Sequence, residues 1–407
     1  MVNRTLLLRC IILTVLVVSG LVLSNGCTYV EVRYGETPQE YLIGRTMELG
    51  GVSLEKGWKM TAFRRGARFP YSLVPVKVVE PIISPSRRQL RGEKSHFSTS
   101  IGFLASTGSL ELFGFEMQAV VDGMNEAGLS MSAHTHVRAQ YAEGTQAERV
   151  ASVHIDYLVL IPWVLGKFNS TVAATQALTS GDVAVLGHSL LPKQLSIHFA
   201  LADASGHSVV LEWVKGTLQV HENTVGVMTN DPEFDWHLLN LNQYSYMSPQ
   251  TSDWSQTVGT INTEQGPVPS PGNHGLNLVG LPGDAGPQAR FVRTFILREL
   301  AMYNEPVATR KDAIQLTTAL LNNVVIPNGV VSKISLLDTG DFTQWALIKD
   351  PQNLRTLFRS YADNSWKQID LNLLMDYLTS SAGETQRQLH VFTNDDGIQD
   401  VTAHLSA

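Results

Sequence analysis

The chain has 407 residues, 43% of them hydrophobic and 16% charged, with 32 Gly and 17 Pro. That composition excludes disordered, collagen-like and coiled-coil proteins and suits one large layered domain or two to three smaller ones. Thirty basic against 37 acidic side chains give a net charge of −7, the wrong sign for a nucleic-acid binder.

The first 26 residues read as an export signal. Arg4 and Arg9 make a positive start, Cys10 to Leu23 is a mostly apolar run, and Ser24-Asn25-Gly26 places small residues before Cys27. The run is shorter than the roughly 18 residues a membrane span needs. Losing this leader removes two arginines and no acid, which leaves 381 residues at −9. The expected product is secreted or periplasmic, with residues 27–407 as one domain.

Further along, Thr28 to Arg33 and Tyr41 to Arg45 alternate as a hairpin around turn residues, and Gln118 to Val137 reads as a second hairpin around Gly123 to Gly128. Ser152 to Leu165 is predicted as an apolar helix interrupted near Pro162, and Ser170 to Leu178 as another, capped by Asn169 or Ser170. His198 to Asp203 and Ser208 to Trp213 form a third hairpin, with Thr217 to Glu222 as an added strand. Gly259 to Pro287, rich in Gly, Pro, Asn and Ser, is expected to be a long loop inside one domain. Helices are predicted at Pro287 to Tyr303 and Lys311 to Leu321, then strands at Gln344 to Lys349 and Leu354 to Tyr361. Strands, then helices, then strands again describe an α+β chain with large antiparallel sheets.

Only Cys27 remains once the leader takes Cys10. A lone cysteine in an exported chain points to a reactive thiol or an intermolecular bridge. Cleavage after Gly26 would place its thiol beside a free α-amine, whose pKa of about 7.7–8.0 suits a base at working pH. One residue would then supply nucleophile and base for amide hydrolysis. Two plainer readings stand beside it: a buried apolar residue in the first strand, or a lipoprotein cysteine, although Ser24 occupies the place where Leu is preferred.

Around Cys27 the motifs carry a resemblance. Cys27-Thr28 and Gly44-Arg45-Thr46-Met47-Glu48 are followed by Asp122-Gly123-Met124-Asn125-Glu126-Ala127-Gly128-Leu129. Then come Met228-Thr229-Asn230-Asp231-Pro232 through Trp236, Asn240-Leu241, Leu281-Pro282-Gly283-Asp284, Ala289-Arg290-Phe291-Val292-Arg293 and Phe342-Thr343-Gln344-Trp345. In this order the chain resembles the choloylglycine hydrolase family, which includes bile salt hydrolases and penicillin V acylases. The resemblance implies an N-terminal-nucleophile hydrolase fold, an αββα sandwich of two antiparallel sheets between helical layers. It places Cys27 on the nucleophile, Arg45 beside it to favour thiolate, and Glu48 on the acid that orients the α-amine. Asn230 falls on the oxyanion asparagine and Arg290 on a second active-site arginine.

Plainer roles compete at each position. Asn230 suits a cap for a helix near Pro232, Arg290 a solvated charge on a helix, and Arg45 with Glu48 an ordinary cross-strand or surface ion pair. Being three apart on a strand, Arg45 and Glu48 cannot share a face without a bulge or strand end. The substrate-binding position that is Asn in many bile salt hydrolases and Tyr in many penicillin V acylases falls at Thr135, which matches neither. Its neighbours His134 and His136 evoke a metal site, yet no third ligand stands out, so two same-face histidines on an exposed strand are expected. Trp58, Phe63 and Phe113-Gly114-Phe115 read as core or acyl-pocket wall. The basic stretch Arg87, Arg88, Arg91 and Lys94 reads as a solvated loop or a face toward an anionic substrate, and Asn169-Ser170-Thr171 is a glycosylation sequon.

The expected activity is hydrolysis of a linear amide of an apolar acyl group, with a small-molecule substrate and no metal or organic cofactor. Conjugated bile salts, penicillin V, N-acyl homoserine lactones and N-acyl amino acids all fit that class. A non-catalytic exported binding protein of the same fold is the alternative, and a homo-oligomer is left open.

Overall fold

A computed structural model describes residues 25–35, 40–49, 57–73, 96–112, 115–142, 150–187, 196–247, 260–269, 276–331, 340–381, 384–389 and 399–400. Most of the expected leader, the basic stretch at 87–94 and Phe113-Gly114 lie outside these residues.

Two large sheets dominate. Their strands, in chain order, are β1 (Asn25–Tyr34), β2 (Glu40–Leu49), β3 (Trp58–Phe63), β4 (Phe103–Leu112), β5 (Phe115–Asn125), β6 (Ser130–Thr135), β7 (Ile197–Ala202) and β8 (Ser208–Val214). There follow β9 (Thr217–Glu222), β10 (Val227–Met228), β11 (Thr343–Asp350), β12 (Arg355–Ser360), β13 (Lys367–Asp370), β14 (Gln386–Leu389) and β15 (Gln399–Asp400). The first sheet runs β10-β1-β2-β11-β12-β13-β15 and the second β9-β8-β7-β6-β5-β4-β3-β14. Every neighbouring pair is antiparallel except β13 with β15.

Helices α1 (Leu160–Lys167) and α2 (Thr171–Thr179) cover the second sheet, sharing its core of Phe103, Val120, Met131 and Phe199. Helices α3 (Phe234–Asn240), α4 (Pro287–Asn304) and α5 (Arg310–Asn322) join the first sheet through Phe234, Phe291, Leu320 and Leu321. Between the sheets lies a third core holding Cys27, Met47, Trp58, Leu104, Met124 and Trp345, closed at one end by α6 (Leu371–Ser380). The order is therefore helix, sheet, sheet, helix. At Gly44 a Cβ would sit 2.6 Å from Thr317 Cγ2, so glycine lets α5 settle onto β2.

The hairpin expected near Asn125 forms as β5–β6. Asn125 Oδ1 accepts the N–H groups of Ala127 and Leu129 at 3.0 Å each, while its Nδ2 donates to the Leu165 and Phe168 carbonyls. Gly128 closes the turn at φ 79°, where a Cβ would also strike the Pro351 carbonyl. Ser170 caps α2 through the Ala173 N–H, and Pro287 opens α4 at its first position.

Two sequence expectations are corrected. Ser152 to Leu165 is not one helix: Val153–Asp156 is a strand, parallel to Val183–Leu186, and α1 begins at Leu160. Pro162 does not interrupt that helix, because in a first turn no backbone N–H is needed from it. The run at 259–287 is not all loop. It contains the hairpin Thr260–Thr263 with Gly266–Pro269 and a short 3-10 turn at Leu276–Leu278.

Candidate active site

Strand β2 is buried from Tyr41 to Glu48 although it carries Arg45, Thr46 and Glu48. Charged groups this deep must be paired or used. The register Cys27↔Met47 and Tyr29↔Arg45 puts the thiol and the Arg45 side chain on one face, toward the second sheet. Arg45 Nη2 lies 3.7 Å from Cys27 Sγ and donates to the Ala133 carbonyl on β6. Its guanidinium also sits 4.9 Å over the Trp345 ring and 3.6 Å from Asp122 Oδ2. Arg45 Nε, which faces Asp122, and Nη1 find no hydrogen-bond acceptor among the described residues.

Thr28, Thr46 and Glu48 alternate onto the opposite face, where Arg290 arrives from the first turn of α4. Arg290 Nη1 donates to the Cys27 carbonyl at 2.7 Å and to Thr28 Oγ1 at 2.8 Å, and its Nε to the Ala285 carbonyl. Its Nη2 donates to Asn230 Oδ1 at 2.8 Å. That same oxygen accepts the Cys27 N–H at 2.8 Å, and Asn230 Nδ2 donates to the Thr135 carbonyl at 2.9 Å. The two faces thus meet at the backbone of Cys27.

Each competing role is resolved by burial. Arg290 is fully buried, not a solvated charge. Asn230 is not the cap of α3, whose N-cap position is Glu233. Arg45 and Glu48 occupy opposite faces of an alternating strand, both fully buried, so neither belongs to a surface pair. The bulge here lies on the partner strand: β11 skips register between Thr343 and Trp345, opposite Glu48 and Met47. Glu48 accepts hydroxyls from Thr343 at 2.6 Å and Thr46 at 3.1 Å, while the Cys27 nitrogen goes to Asn230. Thr135 is half-buried and brings its carbonyl to Asn230.

Burial also governs the electrostatics. It pushes the Cys27 thiol up, outweighing the nearby charge of Arg45, the Glu48 N–H and Arg290. Burial likewise pushes Glu48 up to about 7, against the pull of Arg290, Thr343, Thr46 and Arg45. Arg290 is lowered by the same desolvation, which Glu48 opposes.

Sequence reasoning missed the buried ions behind Arg45. Lys349 Nζ reaches from β11 to Asp122 Oδ1 at 2.6 Å and Ser132 Oγ at 2.9 Å, and Ser132 Oγ donates to Asp122 Oδ2. The available signal was a single lysine ending the apolar run Ala346-Leu347-Ile348. His134 and His136 are a further correction: at 0% and 2% exposure they lie on no exposed strand. Trp58 stands in the core beside Cys27, edge-on to Trp345 at 5.6 Å. Phe63 belongs to the other core and lines an open recess with Arg68, Phe69 and Leu73 that holds none of the candidate residues.

The sandwich of two antiparallel sheets between helices defines this molecule as an N-terminal-nucleophile hydrolase fold. A variant of conjugated bile acid hydrolase from Clostridium perfringens superposes with a TM-score of 0.68 at 22% identity, covering 91% of this chain and 99% of that one. Penicillin V acylase from Agrobacterium tumefaciens gives 0.61 at 21% identity, over 92% and 94%. In sequence, a bile salt hydrolase/transferase from Clostridium perfringens is 29% identical over 257 residues, 62% of this chain and 72% of that protein. The family model of linear amide C–N hydrolases, choloylglycine hydrolase family, matches residues 27–379, and the chain belongs to that family.

Proposed function

We propose that the chain, processed to begin at Cys27, is an exported amidase that cleaves a linear amide of an apolar acyl group through its thiol. The observation that carries this reading is the single oxygen, Asn230 Oδ1, that accepts from the Cys27 nitrogen while Arg290 holds it in place. After cleavage that nitrogen is an amine, and its acceptor is already fixed. Cleavage also removes Asn25 and Gly26 from their pairing with Leu49 and Glu48.

The chemistry follows from these groups. The amine takes the thiol proton, and the thiolate attacks the amide carbon. The ammonium then protonates the leaving nitrogen, the C–N bond breaks, and an acyl thioester remains. Water, deprotonated by the same amine, releases the acid and restores the thiol. Charge developing on the carbonyl oxygen would be met by donors beside the thiol, namely the unspent Arg45 N–H groups and the Asn230 amide. Trp58, Met60, Leu104 and Trp345 give the thiol an apolar surround suited to an acyl chain.

Conjugated bile salts and penicillin V lead the substrate list, because relatives of this chain carry those names. N-acyl homoserine lactones and N-acyl amino acids complete the class. The test is a panel of all four with processed wild type and Cys27→Ala, checked by intact mass for an unmodified N-terminal cysteine. The wild type should release amine and the variant should retain below about 1% of that rate. Turnover by Cys27→Ala, or a lipid mass on Cys27, would overturn the reading.

A further inference from the structure

Three buried ligand atoms converge on neighbouring strands of the second sheet, apart from the thiol. His136 just follows β6, His198 lies on β7 and Glu212 on β8, all at 2% exposure or less. His136 Nδ1 is 3.2 Å from His198 Nδ1, His198 Nδ1 is 2.8 Å from Glu212 Oε1, and His136 Nδ1 is 3.5 Å from that oxygen. A tetrahedral ion with bonds of about 2.0–2.1 Å holds its ligand atoms roughly 3.3 Å apart. Two edges of the triangle, 3.2 and 3.5 Å, lie close to that size, and the His198–Glu212 edge, at 2.8 Å, is shorter.

The outward nitrogens agree. A metal-bound imidazole directs its other N–H to a carbonyl or carboxylate, which sets its tautomer. His198 Nε2 faces the Thr229 carbonyl at 3.2 Å, and His136 Nε2 faces Asp231 Oδ1 at 3.7 Å with no closer acceptor among the described residues. Both Glu212 oxygens also accept the Phe234 N–H at 3.1 Å, and His221 stands 3.6 Å away.

We propose that His136 Nδ1, His198 Nδ1 and Glu212 Oε1 bind one divalent transition-metal ion, zinc by ligand type, behind the candidate active site. Two imidazoles and a carboxylate suit that class of ion, and Glu212 with Asp231 balance its charge. The ion's role is structural. It joins β6, β7 and β8 to Thr229 and Asp231, the residues on either side of Asn230.

The test uses the full chain, expressed with zinc and dialysed against metal-free buffer. Elemental analysis should find about one zinc per chain in wild type and in Cys27→Ser, but well under half in His136→Gln and Glu212→Gln. Cobalt(II) added to metal-free wild type should develop the visible absorption of a tetrahedral site, absent from both variants. Wild type alone guards against misfolded variants: its melting temperature should fall in chelator and rise by about 5 °C when zinc returns at a hundredfold excess over Kd. Wild type that binds neither ion and melts unchanged has a proton-bonded network here, and the proposal is wrong. It is equally wrong if His136→Gln keeps a full equivalent, or if Cys27→Ser loses it.

Discussion

Cys27 is held from both sides, by Asn230 and Arg290 at its backbone and by Arg45 at its sulfur. Asn230 gives its amide oxygen to Cys27 and one amide hydrogen to Thr135, which leaves its second hydrogen as a donor. Asn230→Ala should therefore lower kcat by roughly 10²–10³ with a smaller change in KM, since the group acts on the reacting centre. Steady-state kinetics decide, and a melting-temperature loss with kcat intact would make Asn230 a fold residue. Glu48 offers a second prediction. Its carboxyl is raised to about 7, so the native state holds that proton more tightly than the unfolded chain does. The stability it contributes is present below about pH 4.5 and is lost as pH rises to about 7, roughly 3 kcal/mol in all. Glu48→Gln does not ionise. Relative to wild type, its melting temperature should climb between pH 4.5 and 8, and a pH-independent difference would mean an unshifted carboxyl.

At the scale of elements, the hairpin β1–β2 carries Cys27 on one strand and Arg45 and Glu48 on the other. The strand continues through Gly26 and Asn25, which pair with Glu48 and Leu49. A Cβ on Gly26 would lie 3.2 Å from Arg290 Nη2, so upstream chain occupies the space beside the guanidinium. While Gly26 remains, the Cys27 nitrogen is an amide and no base. A chain begun Met-Gly26-Cys27, with processing blocked, should fold yet stay inactive. One begun Met-Cys27 should gain activity when its Met is removed. N-terminal sequencing identifies each form, and full turnover by the extended chain would exclude the amine as base.

Across the whole molecule, the two sheets are joined by charge as well as by apolar packing. Lys349 on the first sheet meets Asp122 and Ser132 on the second, with Arg45 close to the same carboxylate. All of these groups are at most 1% exposed. Desolvation lowers the Lys349 ammonium, and Asp122 opposes it. Lys349→Met keeps the length and removes the charge, leaving Asp122 with Arg45 as its facing cation and with the Ser132 hydroxyl. Removing one partner of a buried pair costs about 3–5 kcal/mol, so the urea midpoint should fall accordingly. A loss below about 1 kcal/mol would show that Arg45 compensates fully.

The sequence by itself determined whatever depends on neighbours along the chain. The lone cysteine behind a leader-like run, the alternation of β1 and β2, the Asn125 to Gly128 turn and the Pro-led helix α4 are all local, and each was legible. Cys27, Arg45, Glu48, Asn230 and Arg290 each sit in a short motif, and the fold brings them together around the Cys27 backbone. Partner choice was not legible, since burial and pairing join distant residues. The β11 bulge opposite Glu48, the bond between Asn230 and Cys27 across 203 positions, and the link between Lys349 and Asp122 across 227 exist only in the packed sandwich. The same holds for His136, whose partner His198 lies 62 residues away on the next strand, where a search for a third ligand near His134 could not reach. Val153–Asp156 became a strand because Val183–Leu186 offered a parallel edge, a contact that no local pattern encodes.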